Sequence, residues 1–366
     1  HEGSYIQIDG KKSLAFGHRR LSIIDLTDDS NQPTLFENLV MTFNGEIYNY
    51  IEIREELLTF GYEFTSNGDS EVLIKTFHKW GIKALDKLNG MFSISLYDKN
   101  TKNLFLIRDR FGVKPLLYTI KSNAYIYYAS EVRSLHALEN IKTTISEHSV
   151  YEYMRFGYVS NPATIFNEIK KVKPGCYLKI ETEHLTLEEV QYWSISKEAE
   201  KYKGMNPSKS IDTLNSLMTS SVELRLRSDV HNSIFLSGGI DSGLIANFSS
   251  QLGTKATAIT IGFDDVALDE TEAAARVAKK LTMNHQIYSP TVTDYIEAIN
   301  LMPEIWDLPL ADPSTIPTYL LCKNASLTSK VVLSADGGDE AFFGYNKHRV
   351  YKLSNLLENN PFNVKK

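Results

Sequence analysis

The period of the hydrophobic pattern changes partway along the chain. Over residues 1–190, apolar and β-branched runs at Leu39–Phe43, Met91–Tyr97, Leu104–Ile107 and Ala124–Ala129 predict strands, several of them antiparallel. Between them, Ile51, Ile53, Leu57 and Leu58, and then Val72, Leu73, Thr76, Phe77 and Trp80, recur at helical spacing. This half therefore reads as α+β. Trp193-Ser194-Ile195-Ser196 and the polar run Lys197–Lys209, with Gly204, Asn206 and Pro207, break the pattern and predict a linker over 193–209. A helix from Ser210 towards Arg227 follows. Beyond it come strand Ser233–Leu236, helix Gly243–Leu252, strand Ala256–Ile261, helix Glu270–Leu281, strand His285–Tyr288, helices through Leu321 and strand Val331–Ser334. Short buried strands alternating with helices predict a parallel sheet covered on both faces. The expected domains are 1–192 and 210–366.

Composition adds constraints rather than a function. A chain of 366 residues has room for two domains, on a scale of roughly 100–200 residues each. The formal net charge of −6 does not suit a surface that coats nucleic acid, so no nucleic-acid partner is expected. Apolar runs such as Ser233–Leu236 and Tyr319–Cys322 are far shorter than the ~20 residues that span a bilayer, and no membrane partner is expected. His1-Glu2-Gly3 has neither the basic start nor the apolar stretch of a signal peptide. Cys176 and Cys322 are too few for a disulfide framework and wrongly spaced for a zinc site, which fits a reducing, cytoplasmic compartment. Cys322, on an apolar helix, is expected to be a buried small hydrophobe.

The most informative element is Ser237-Gly238-Gly239-Ile240-Asp241-Ser242, with a predicted strand before it and a helix after it. Glycines let the backbone approach an anion, amides and serine hydroxyls donate to its oxygens, and the positive end of the helix dipole faces the same point. The loop has no lysine, so Asp241 is read as holding magnesium on the phosphates. A plain strand-to-helix turn is the competing reading for Gly-Gly alone. A second loop, Leu333-Ser334-Ala335-Asp336-Gly337-Gly338-Asp339-Glu340, ends another predicted strand, where α/β folds place ligands. A solvated acidic turn is its bland alternative; the pattern lacks the alternating ligands and distal glutamate of a calcium loop.

The first loop resembles the pyrophosphate loop of the N-type ATP pyrophosphatases, which cleave ATP to AMP and pyrophosphate to adenylate a substrate. The second, with Phe342-Phe343-Gly344-Tyr345, is similar to the matching segment of the glutamine-hydrolysing asparagine synthetases. That resemblance implies that Asp339 joins Asp241 in holding magnesium pyrophosphate and that Asp336 lies near the reacting carboxylate. It also implies that Leu236, Ser237, Gly238, Gly239, Ser242, Ile261, Ser334 and Ala335 contact ATP or its pyrophosphate. Ile259–Gly262 with Asp264 matches the strand that reads adenine, and Asp307–Ser314 resembles a bacterial segment flanking the substrate site.

Three motifs in the first half resemble the glutaminase domain of class II amidotransferases: Gly17-His18-Arg19-Arg20-Leu21-Ser22-Ile23, Phe43-Asn44-Gly45-Glu46-Ile47-Tyr48-Asn49 and Asn67-Gly68-Asp69-Ser70-Glu71. The implied fold is an N-terminal-nucleophile sandwich of four layers, αββα, followed by a Rossmann-like ATP pyrophosphatase domain. Hydrolysis of glutamine through a thioester needs an oxyanion hole, for which the Asn44 side chain and Gly45 amide are suited. Glutamine's carboxylate needs a cation and its ammonium an anion; Arg20 and Asp69 match those positions, with Glu46 beside them. Arg108–Leu116 and Ala129–Val132 also match, and are read as packing segments. The family's nucleophile is an N-terminal cysteine, whereas this sequence begins His1-Glu2-Gly3, similar to a family segment that follows the nucleophile; a preceding stretch, and a helical continuation after the second loop, are expected from the natural protein. Cys176 is not read as a substitute.

These observations imply a ligase that adenylates a carboxylate with ATP and amidates it with ammonia from glutamine. Aspartate is the acceptor implied by resemblance, with ATP and magnesium required and a homodimer as the expected assembly. Two alternatives stay open at this point: amidation of another carboxylate, such as a sugar acid or a β-amino acid closing a lactam, and a non-catalytic nucleotide- or partner-binding relic.

Overall fold

The alternating pattern of the first half closes into antiparallel sheets. The computed structural model describes residues 1–9, 12–122, 124–348 and 350–351, so residues 352–366 of the expected second domain lie outside the described residues. Strands β1 (Glu2–Asp9) and β2 (Lys12–Arg19) pair as a hairpin. Then come β3 (Thr34–Phe36), β4 (Leu39–Ile47), β5 (Gly90–Asp98), β6 (Asn103–Arg108), β7 (Leu117–Lys121), β8 (Tyr125–Ala129), β9 (Lys170–Lys171), β10 (Cys176–Glu181) and β11 (Thr186–Gln191). Six of them form one sheet in the order β11-β10-β6-β5-β4-β3, and β8-β7-β9 form another. Helices α1 (Tyr50–Thr59), α2 (Asp69–Trp80), α3 (Val132–His136) and α4 (Glu147–Phe156) connect them.

Because successive side chains of a strand point to opposite faces, the six-stranded sheet carries two cores. Met41, Phe43, Phe92, Ile94 and Leu96 face α1 and α2, which contribute Ile53, Leu57, Val72, Leu73 and Phe77. Val40, Tyr97, Leu104, Leu106, Leu178 and Ile180 face the other way, against Phe16 of β2 and Tyr118 of β7. Every residue of α2 from Asp69 to Phe77 is buried, which fixes the helix start against the end of β4.

The polar run after β11 is not all coil: it holds a short helix, α5 (Ile195–Glu200), before α6 (Pro207–Arg225). From there β12 (Asn232–Phe235), α7 (Ile240–Gln251), β13 (Thr257–Ile261), α8 (Thr271–Lys280), β14 (His285–Tyr288), α9 (Val292–Ile305), α10 (Thr315–Ala325), β15 (Val331–Leu333) and α11 (Gly338–Phe342) follow. The sheet order is β14-β13-β12-β15, with every pairing parallel. One side packs Ile234 with Val222 and Phe248, the other Leu236 and Ala258 with Ala246, Ala274 and Ala278, so the sheet is covered on both faces as its sequence pattern predicts.

Two compact units result. One is His1–Leu217 with Arg227–Val230 and Thr293–Tyr319; the other is Met218–Leu226, His231–Val292 and the described residues from Leu320 onward. Thr293–Tyr319 thus packs within the unit built from the first half. Leu308 joins a cluster with Leu117, Val132, Leu135 and Ile169, Arg133 Nε lies 3.1 Å from an Asp307 carboxylate oxygen, and the Ala311 amide donates to the Gly157 carbonyl at 2.8 Å. Cys322 corrects an expectation: it is exposed, because α10 turns Leu320 and Ala325 inward instead. Cys176 is buried, and burial pushes its thiol up, away from the thiolate a nucleophile needs. Among the described residues no helix is long and apolar enough to cross a membrane.

Candidate functional site

The three motifs of the first half converge at the end of β4. Gly45 lies opposite Phe92 of β5 at φ +152°, and a Cβ built there would lie 2.0 Å from the Met91 carbonyl oxygen. No other residue fits that approach, so the glycine is imposed by the strand pairing as much as by chemistry. Beside it, Asn44 Nδ2 donates to Ser130 Oγ at 3.2 Å. Phe43 is held by Gln32, whose Nε2 donates to the Phe43 carbonyl at 3.0 Å while its Oε1 accepts the Phe43 amide at 2.6 Å. His18 Nε2 lies 3.0 Å from the same carbonyl.

Asp69 opens α2 fully inside the protein, accepting the Ile47 amide at 2.9 Å. Burial pushes its carboxyl up; the Ile47 amide and the nearby Arg20 guanidinium partly offset this. Glu46 is raised for the same first reason, burial, and then by the Asp69 charge, with Lys114 and Arg20 acting in the opposite sense. Its Oε2 is buried without a hydrogen-bond partner among the described residues. Two mutually repelling carboxylates and a guanidinium therefore share one small region, a charge pattern suited to a zwitterion. The Arg20 guanidinium is fixed by the carbonyls of Ile24 and Thr27, at 3.0 and 2.8 Å, and by that of Asp25. Asp25 itself anchors the surrounding loop, accepting from Thr27, Ser30 and the Asn67 amide.

The second site forms where β12 and β15 end side by side, in register from Asn232↔Val331 to Ile234↔Leu333. Leu236 is spoken for: its side chain is buried in the core, its amide donates to Ile259 at 2.9 Å and its carbonyl accepts from Thr260 Oγ1 at 2.6 Å. The chain then turns through Ser237–Gly239 into α7. Ser237 Oγ and Ser242 Oγ lie 2.7 Å apart, the Ser237 amide donates to Ser242 Oγ at 3.1 Å and the Gly239 amide to Ser237 Oγ at 3.1 Å. These bonds hold an open curl whose following amides, at the start of α7, have no intrahelical acceptor. Asp241 is in the first turn of that helix, and a Cβ on Gly338 would lie 2.4 Å from its Oδ2. Thus the structure brings Asp241 against the second loop. Asp339 follows next in the chain, its carboxylate pressed on Gly344, while Ser334 Oγ donates to Asp336 at 2.8 Å and the Ala335 carbonyl accepts the Gly338 amide at 3.2 Å. Ile261 ends β13, the neighbour of β12 on its other side.

Three residues that reach these sites carry no motif signal of their own. Ser130 and Gln32 touch the β4 site, and Glu270 accepts the Gly238 amide at 3.0 Å in the loop before α7. Ser130 was legible only as part of a segment read as packing.

Comparison with known proteins finds two family domains in succession along the chain. A glutamine amidotransferase domain matches residues 3–193, and an asparagine synthase domain matches 213–362. The glutamine amidotransferase domain comes first in the chain and the asparagine synthase domain second. Asparagine synthetase (glutamine-hydrolyzing) 1 of Bacillus subtilis is 36% identical over 360 residues, covering 96% of this chain and 55% of that protein. A Methanocaldococcus jannaschii protein that provisionally bears the same enzyme name is 31% identical over 367 residues, covering 95% of this chain and 70% of its own. The chain belongs to the glutamine-hydrolysing asparagine synthetase family. It spans about half the length of the B. subtilis relatives it matches.

Proposed function

We propose that the protein is a carbon–nitrogen ligase that makes asparagine from aspartate, using ATP and the amide nitrogen of glutamine. The reading assigns the glutaminase domain, an αββα N-terminal-nucleophile sandwich, to residues 1–192 and the Rossmann-like synthetase domain to 210–366, joined by 193–209. The observation that carries it is the second loop meeting the first at Asp241: two strand ends side by side, one donor-rich curl, and the Asp241 carboxylate against Gly338.

At the first site, Arg20 binds the carboxylate of glutamine, while Asp69 and Glu46 bind its ammonium; both carboxyls ionise once that cation is present. The Asn44 side chain and Gly45 amide donate to the oxyanion formed as the amide carbon is attacked. At the second site, the Ser237 and Ser242 hydroxyls and the amides of Gly238 and Gly239 cradle the departing pyrophosphate. Leu236, with its side chain buried and its amide and carbonyl both engaged, supports the loop rather than touching the ligand, and Ile261, Ser334 and Ala335 border the nucleotide. The donor set of carboxylate oxygens suits a hard cation, so Asp241 and Asp339 are the residues that would hold magnesium, which when bound neutralises phosphate charge. Asp336 faces the acceptor carboxylate as it is adenylated, and ammonia then displaces AMP.

The test is aspartate-dependent release of AMP from ATP, measured with ammonium as nitrogen source and a panel of other carboxylic acids as controls. AMP formation with aspartate well above the panel supports the assignment. AMP formation only with a different acid would replace aspartate as the acceptor, and ATP binding without AMP formation would remove the catalytic reading.

A further inference from the structure

The loop before α7 already holds an anion, and it is one of the protein's own. The Gly238 amide, at the mouth of the curl, donates at 3.0 Å to Oε2 of Glu270, the residue that leads into α8. This placement is built into the backbone. A Cβ on Gly238 would lie 2.9 Å from Ala273 Cβ and 3.4 Å from Glu270 Cβ, so the first turn of α8 packs directly on the loop. Ala274 and Ala278 on the same helix are fully buried against Leu236 and Ala246, and the preceding turn is locked by Asp269, which accepts from the Phe263 amide at 3.1 Å and from Thr271 Oγ1 at 2.6 Å. Glu270 is thus presented to Gly238 by a rigid element.

The amides of Ser237 and Gly239 are meanwhile satisfied by serine hydroxyls, which can rotate away and redirect their own donors to an incoming oxygen. A carboxylate cannot: it is acceptor-only and carries the charge of the ligand it faces. No residue of 236–242 is cationic, so nothing in the loop itself offsets that charge.

We infer that Glu270 is an internal competitor for the phosphate-binding loop: its carboxylate occupies the Gly238 amide in the free protein and must be displaced for pyrophosphate or the ATP phosphates to bind. The inference rests on the proposed ATP site and adds a residue that sets its affinity. Displacement lowers the affinity for the bare polyphosphate and makes release of pyrophosphate easier, since Glu270 can reoccupy the amide as the product departs. Glu270→Gln removes the charge and keeps the acceptor; Glu270→Ala removes both.

The experiment is calorimetric titration of the full chain, wild type and both variants, with magnesium pyrophosphate and with magnesium ATP at fixed ionic strength. Thermal melting of each variant checks that the fold is kept. Both variants are expected to bind pyrophosphate more tightly, by roughly tenfold given like charges a few ångströms apart near a surface. Ala, which also frees the Gly238 amide, should gain at least as much as Gln. Unchanged or weaker binding in both variants, with wild type binding normally, would overturn the competitor role alone, weaker binding pointing to Glu270 as a supporting ligand instead. Failure of all three proteins to bind either ligand would overturn the ATP site together with this inference.

Discussion

Asp69 and Glu46, the proposed ligands of the glutamine ammonium, differ from residues that stabilise the fold. Both carboxyls are raised, first by burial, so folding disfavours their ionised forms. For an acid with a raised native pKa, the folded state binds more protons than the unfolded state, and stability falls as pH rises from the unfolded value through the folded one. At neutral pH these groups therefore weaken the fold. Asp69→Asn keeps an oxygen for the Ile47 amide and removes the charge. It is expected to leave the melting temperature equal or higher while weakening glutamine binding by about tenfold or more, the loss of one buried charge-assisted contact. A large drop in melting temperature would instead make Asp69 a structural residue. The sequence disclosed Asn44, Gly45 and Asp69 because each is embedded in a short motif. The contacts of Ser130, Gln32 and Glu270 were not disclosed, because their partners lie 86, 11 and 32 positions away and only folding brings them together.

Strands and helices with a buried face were legible, and those without one were not. β4, β5 and β6 carry the apolar alternation that defines them, and α2 has its helical stripe. β11, by contrast, is exposed over nearly its whole length, so no hydrophobic period marks Thr186–Gln191 as a strand; it is held by register with β10. α5 was hidden in a polar run for the same reason. At this scale the sharpest prediction concerns the β4–β5 pairing. Gly45→Ala places a Cβ within 2.0 Å of the Met91 carbonyl oxygen, so the strands must part or the register shift. The substitution should destabilise the protein by about 3 kcal/mol or more, read by chemical denaturation. A loss under about 0.5 kcal/mol, the range of ordinary surface substitutions, would show that the strand end yields without strain.

Taken whole, the chain has a parallel sheet carrying the proposed phosphate loop and an antiparallel assembly carrying the proposed glutamine site. The order of these two halves, and the change of period between them, could be read before any coordinates. What could not be read is that Thr293–Tyr319 returns to the first unit, since helical spacing says that a helix has an apolar face but not which core receives it. Trp306 and Leu308 lie in that segment, and only their contacts reveal the destination; Leu308 packs with Leu117 and Ile169. Coupling of the two chemistries is the central claim, and nitrogen transfer reports on it directly. The natural full-length protein is incubated with ATP, magnesium, aspartate and glutamine labelled with nitrogen-15 at its amide, and the products are resolved by mass spectrometry. Asparagine carrying the label, formed in step with AMP, is the predicted result. Release of labelled ammonia without labelled asparagine, or no product that depends on ATP, would contradict it.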